Sequence, residues 1–156
     1  MSYKFLDHAT DAIIEVTAKN LKEAFLVTAD AVIDLTLDKD RVEEKELREF
    51  TAQGKDLRYL LFSWLEEVTF VLITEGFAIR RIDIEIQENN GYKIYAKAYG
   101  EPLEFLKHNF KVEIKAPTFY DMEIRQNGQV YMRFLLDLWV VWIILGKSIE
   151  EIIRVF

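Results

Sequence analysis

The stretch that most narrows the fold is residues 81–100. "RIDIEIQ" alternates polar and apolar residues without a break, "NNG" offers a tight turn, and "YKIYAKAYG" alternates back. Successive side chains of a strand point to opposite faces, so this hairpin lays one face on a core and the other in water. That commits the second half of the chain to antiparallel sheet with one buried face.

The first half reads differently. Residues 12–18, "AIIEVTA", are β-branched enough for a strand. Asn20 then offers an N-cap with Glu23 in the capping-box position, and Leu21, Ala24, Phe25, Ala31, Val32 and Leu35 recur at helical spacing to about Thr36. "DKDRVEEKE" is a charged connection, and "LREFTAQ" is a short strand ended by Gly54. Asp56 caps a second helix from Leu57 to Glu75, closed by Gly76. Its apolar residues (Leu60, Leu61, Trp64, Leu65, Val68, Phe70, Val71 and Leu72) wrap nearly all round, which predicts a central helix buried on several sides.

After the hairpin come "YGEP" and an irregular stretch to His108. "FKVEIKA" and "FYDMEIRQ" read as two strands, "NG" as a turn and "QVYMRFLLDL" as the last strand. The expected architecture is α+β: two helices packed against an antiparallel or mixed β-sheet, with the strands after the second helix running as a meander. Residues 1–138 form a single domain, and 139–156 form a C-terminal apolar extension. That extension, "WVVWIILGKSIEEIIRVF", is an apolar run followed by a short capped helix. It either packs on its own domain or serves docking or self-association.

Charge and composition limit the functions. Twenty basic against 27 acidic residues give a net charge of −7, which repels a phosphate backbone, so no direct nucleic-acid binding is expected. A cation or a basic partner protein suits the chain better. Without cysteine there is no disulfide scaffold, thiol nucleophile or Cys-type zinc site. The run from Phe134 to Leu145 is interrupted by Asp137 and too short to span a bilayer, so a cytoplasmic protein without a membrane segment is expected. Walker and GxGxxG phosphate loops are absent, and no serine–histidine–acid pattern surrounds His8.

Two places concentrate polar donors. In "FLDHATD", Asp7 and Asp11 stand four residues apart with His8 and Thr10 between them. Carboxylates that near must separate, share a proton or hold a cation, and oxygen and imidazole donors suit calcium or magnesium better than zinc. Turn formation through their own backbone is the competing role. Asp137 interrupts "RFLLDLWVV", where a carboxylate must sit at a wet rim or be paired, because burying it alone costs several kcal/mol. A metal shared with Asp11 satisfies both. His108 precedes an apolar strand with no ligand set beside it in sequence.

From Tyr3 to Leu138 the chain resembles the archease family. The resemblance is carried in order by "FLDHATD", "NLKEAFLVTADAVIDL", "GKDLRYLLFSWLEEVTFVLITEGF", "KAYGEP", "EIKAPTFYDMEI" and "RFLLDL". It implies an α+β activator of the tRNA-splicing RNA ligase rather than an enzyme, one that promotes guanylylation of the ligase and its multiple turnover. It also implies a divalent metal, commonly calcium, held by Asp11 and Asp137, with Asp7 as a further ligand. His8, Lys115 and Tyr120 match positions that orient the ligands or face the partner. Some archeases are described as chaperone-like modulators of an RNA methyltransferase, which makes a chaperone role the alternative. The family's "HTAD" is permuted here to "HATD", and residues 139–156 extend past the point where archeases usually end.

Overall fold

The computed structural model describes residues 2–6 and 11–140, with the side chains of Leu6 and Val140 left aside. Strand β1 covers Ser2–Leu6 and β2 Asp11–Ala18. Helix α1, Leu21–Thr36, starts where Asn20, in extended conformation, accepts the Glu23 N–H at 2.9 Å. The Glu23 carboxylate reaches back as a capping box requires, but to the N–H of Lys19 at 2.7 Å.

Strand β3 is Glu46–Gly54, and α2 is Leu57–Thr69, capped by Asp56 accepting the Tyr59 N–H at 2.9 Å. The expected helix to Glu75 is therefore two pieces. After Thr69 the coil widens into a π-helical turn, Phe70–Thr74, with Glu75 N–H donating to the Phe70 carbonyl. Gly76, at φ +62°, then stops it in the left-handed conformation that glycine adopts without steric cost. Leu60, Leu61, Trp64, Leu65, Val68, Val71 and Leu72 are buried as expected, whereas Phe70 is half exposed. Widening the coil shifts the angular spacing of later side chains, so a face read at 3.6 residues per turn no longer predicts where Phe70 points.

Strands β4, Phe77–Glu88, and β5, Tyr92–Pro102, form the expected hairpin, with Asn90 and Gly91 both at positive φ. Strand β6 runs unbroken through Val112–Asn127, and β7 is Gln129–Val140, two residues into the expected extension. The two strands expected at 110–126 are one. The backbone between them stays extended through register breaks after Ile114 and Thr118, with residues 119–122 outside the β7 register. Pro117, which lacks an N–H, is tolerated because β6 is the edge of its sheet.

The strands do not form one meander. They make two antiparallel sheets, β1-β2-β7-β6 and β3-β5-β4. Alternation shows which face a strand buries but not its partner, and here β2 pairs with β7 from the far end of the chain. Each helix contacts strands of both sheets, which explains why α2 is apolar over most of its circumference. Trp64 anchors this layer: fully buried, it stacks on Phe50 and donates its indole N–H to the Phe25 carbonyl at 2.9 Å. No helix among the described residues is long and apolar enough to cross a membrane. Residues 141–156, where the tail readings fall, lie outside the described residues.

Candidate functional site

In β2 the inward positions are Ala12, Ile14, Val16 and Ala18, all buried. Asp11, Ile13, Glu15 and Thr17 therefore face away from the helices. The antiparallel register sets each of them opposite a residue of β7: Thr17 to Tyr131, Glu15 to Arg133, Ile13 to Leu135, and Asp11 to Asp137. Two carboxylates from opposite ends of the domain are thus direct cross-strand neighbours, with Cβ atoms about 5 Å apart in such a pair.

The rows on this face differ in charge logic. Glu15 is matched: Lys4 lies 3.2 Å away, Arg133 3.8 Å, and the Tyr131 hydroxyl donates at 3.1 Å. Burial pushes the Glu15 carboxyl up, but Lys4, Tyr131 and Arg133 outweigh it and hold the group below its usual range. Arg133 in turn is bonded to Asp121 at 2.7 Å. The row at the β2 start sets acid against acid, an arrangement that destabilises a sheet unless something positive offsets it.

Ala116 of β6 is the register partner of Asp137 on its other side, and the bulge sets Lys115 beside it at the same level. Lys115 is the extra residue of the β-bulge between Ile114 and Ala116, and its ammonium sits 4.5 Å over the Trp139 ring. Tyr120 falls in the second irregularity, between the Leu135 and Arg133 levels of β7, and is 74% exposed. It is therefore displaced along the strand from the acid pair. Asp7 and His8 lie outside the described residues, in the segment 7–10 that joins β1 to β2. Among the described residues no group of three or more potential metal-binding side chains occurs, so Asp11 and Asp137 stand there as a pair.

A second polar cluster escaped the sequence reading. His108 is fully buried and Glu101 nearly so. His108 Nδ1 accepts the Glu104 N–H at 3.0 Å, which leaves the proton on Nε2 to donate to Glu101 Oε2 at 3.0 Å. Glu101 also accepts the Glu43 N–H and the Lys107 ammonium, each at 2.8 Å. Burial alone pushes this carboxyl up, but Lys107, the Glu43 N–H and His108 together bring it down to about 2. "YGEP" and His108 were visible in the sequence, but nothing in it said that an irregular stretch folds one onto the other.

The fold and site define a class of protein: a two-sheet α+β domain with a cross-strand carboxylate pair at its rim. Residues 3–138 match the model of the Archease protein family. The chain is 37% identical over 139 residues to the archease of Pyrobaculum neutrophilum, covering 87% of this chain and 95% of that one. It is 38% identical over 125 residues to the archease of Pyrococcus abyssi, covering 80% and 88%. The solution structure of Methanobacterium thermoautotrophicum protein 1598 superposes with a TM-score of 0.75 at 29% identity, covering 88% of this chain and 99% of the other. The chain belongs to the archease family, whose members are activators of the RNA ligase of tRNA splicing rather than catalysts.

Proposed function

We propose that this protein activates the tRNA-splicing RNA ligase through a divalent cation held at the start of β2, promoting guanylylation of the ligase and its multiple turnover. The observation that carries this reading is the opposition of Asp11 and Asp137 across β2 and β7, which sets two carboxylates from opposite ends of the domain in one row. The donor set fits a hard ion. Carboxylate oxygens suit calcium or magnesium, and the sequence offers no thiolate to favour zinc. Asp11 and Asp137 would hold the ion, with Asp7 as a further oxygen ligand and His8 orienting a carboxylate by hydrogen bonding. Bound there, the ion supplies positive charge at an otherwise acidic rim.

The protein residues do the rest. Lys115 and Trp139 flank the pair and Tyr120 lies farther along the same edge, giving this end a mixed cationic and aromatic border for a partner. The net charge of −7 favours approach to a basic, RNA-binding ligase and disfavours competition for its RNA.

The test compares wild type with Asp11→Asn in ligation of a 3′-phosphate RNA at substoichiometric ligase, alongside calcium titration calorimetry. The expected outcome is loss of both multiple turnover and calcium heat. Wild-type turnover by the variant would overturn the metal reading, and failure of the wild-type protein to stimulate the ligase would overturn the activator role.

A further inference from the structure

The turn between β5 and β6 presents an apolar side chain to solvent on a hydrogen-bonded backbone. His108 N–H donates to the Glu104 carbonyl at 2.9 Å, Phe110 N–H to Phe105 at 2.9 Å, and Asn109 N–H to Leu106 at 3.4 Å. Asn109 sits at φ +51°. This is a Schellman closure of a single helical turn, and the apolar contact that accompanies such closures is present as the Phe105–Phe110 stack, 4.6 Å between centroids. The buried His108–Glu101 pair ties the turn to β5, and Asp38 ties it to the end of α1. Asp38 N–H donates to the His108 carbonyl at 2.9 Å, and its carboxylate accepts from Asn109 at 2.9 Å.

On this scaffold Leu106 is 88% exposed and Phe105 45%. A large apolar side chain so exposed on a mobile loop could fold back. Here the hydrogen bonds hold it out, so little ordering entropy would be lost when a partner covers it. The position also bears on function. Strand β6 begins at Val112, two residues after Phe110, and pairs it with Val140, three positions along β7 from Asp137. Val140 is about 10 Å along β7 from Asp137, so the turn leading into Val112 lies at the same end of the domain as the acid pair.

We propose that the Glu104–Phe110 turn is a preformed contact element that inserts Leu106 into an apolar, basic-rimmed pocket of the partner ligase; this rests on the activator reading above. Charge selects this occupant. Lys107, Lys111, Arg41 and Lys45 are engaged by Glu101, Asp38 and Glu43 within the chain. Exposed Glu104 carries the charge next to the tip, which disfavours an anionic membrane or a second copy of a chain of net charge −7.

The experiment measures ligase affinity, ligation turnover and calcium heat for Leu106→Asp and Leu106→Met. Leu106→Asp is expected to weaken ligase binding roughly tenfold or more, with thermal stability and calcium heat unchanged, while Leu106→Met binds as wild type. Wild-type affinity for Leu106→Asp, or an effect confined to self-association in sedimentation, overturns the inference while leaving the activator role standing. If the wild-type protein itself neither binds nor stimulates the ligase, the activator reading fails first and this inference falls with it.

Discussion

The Nε2–H of His108 meets Glu101 Oε2 at 3.0 Å with both side chains almost wholly sealed from water. A carboxylate placed there would be costly on its own. It is tolerated because Lys107, the Glu43 N–H and His108 converge on it. The pair links three segments distant in sequence: the 43–45 connection, the end of β5 and the turn before β6.

Glu101→Ala should therefore cost about 3 kcal/mol, because it strands a buried imidazole and a backbone N–H as well as an ammonium. In a chain of this size that lowers the melting temperature by roughly 10 °C. A thermal melt showing a loss of less than 1 kcal/mol would mean that the cluster is better hydrated than its burial implies.

Acid should remove the same contribution. The Glu101 carboxyl lies at about 2 in the folded protein against an ordinary 4.5. The unfolded chain thus takes up its proton first as pH falls. The stabilisation is whole above about pH 4.5 and fades as pH drops toward about 2. The stability difference between wild type and Glu101→Gln should narrow over that window and stay level from pH 5 to 8. A difference independent of pH down to 2 would place the stabilisation in packing rather than charge.

How much of this was legible beforehand depends on range in sequence. The caps at Asn20 and Asp56, the 89–91 turn and the Gly76 stop rest on hydrogen bonds and dihedrals within a few residues, and each was read correctly. Division into two sheets was not legible, because alternation in β2 specifies its buried face equally well whichever strand lies beside it. Merging of the 110–126 strands is not legible for a related reason: Pro117 and the irregularities break the alternation without ending the strand. The carboxylates at 11 and 137 are chemically awkward in the sequence, and both their chemistry and the family resemblance point to a shared metal, whereas their direct opposition follows only from the pairing of β2 with β7. The Glu101–His108 contact had only tertiary structure to announce it.

Gly100 gives a test of packing that no side-chain chemistry confuses. A Cβ at that position would stand 1.8 Å from the Ala78 carbonyl oxygen, against strand backbone that cannot swing aside as a flexible side chain would. Gly100 pairs with Ile79 just before the register shift in β4, so the close approach and the irregularity belong together. Gly100→Ala should cost about 3 kcal/mol or more through forced separation of β4 and β5. A denaturant titration with an unchanged midpoint would show that the hairpin opens more readily than this geometry allows.

The acid pair makes a prediction whose sign depends on solution conditions. Asp137→Asn removes one of two like charges set directly across β2 and β7, and such opposition destabilises an antiparallel pair by roughly 0.2–1 kcal/mol. With chelator present the variant should therefore melt at or slightly above the wild-type temperature. With calcium the order should reverse. Wild type gains stability as RT ln(1 + [Ca]/Kd), about 2.7 kcal/mol at a hundredfold excess over Kd, while the variant gains little. An ordinary rim aspartate would give curves that calcium does not move in either protein. A purely structural Asp137 would make the asparagine variant less stable in both solutions by the same amount. Only an ion seated between the two strands makes the variant the equal or better protein in chelator and the worse one in calcium, so the crossing of the two melting curves separates the metal reading from both alternatives.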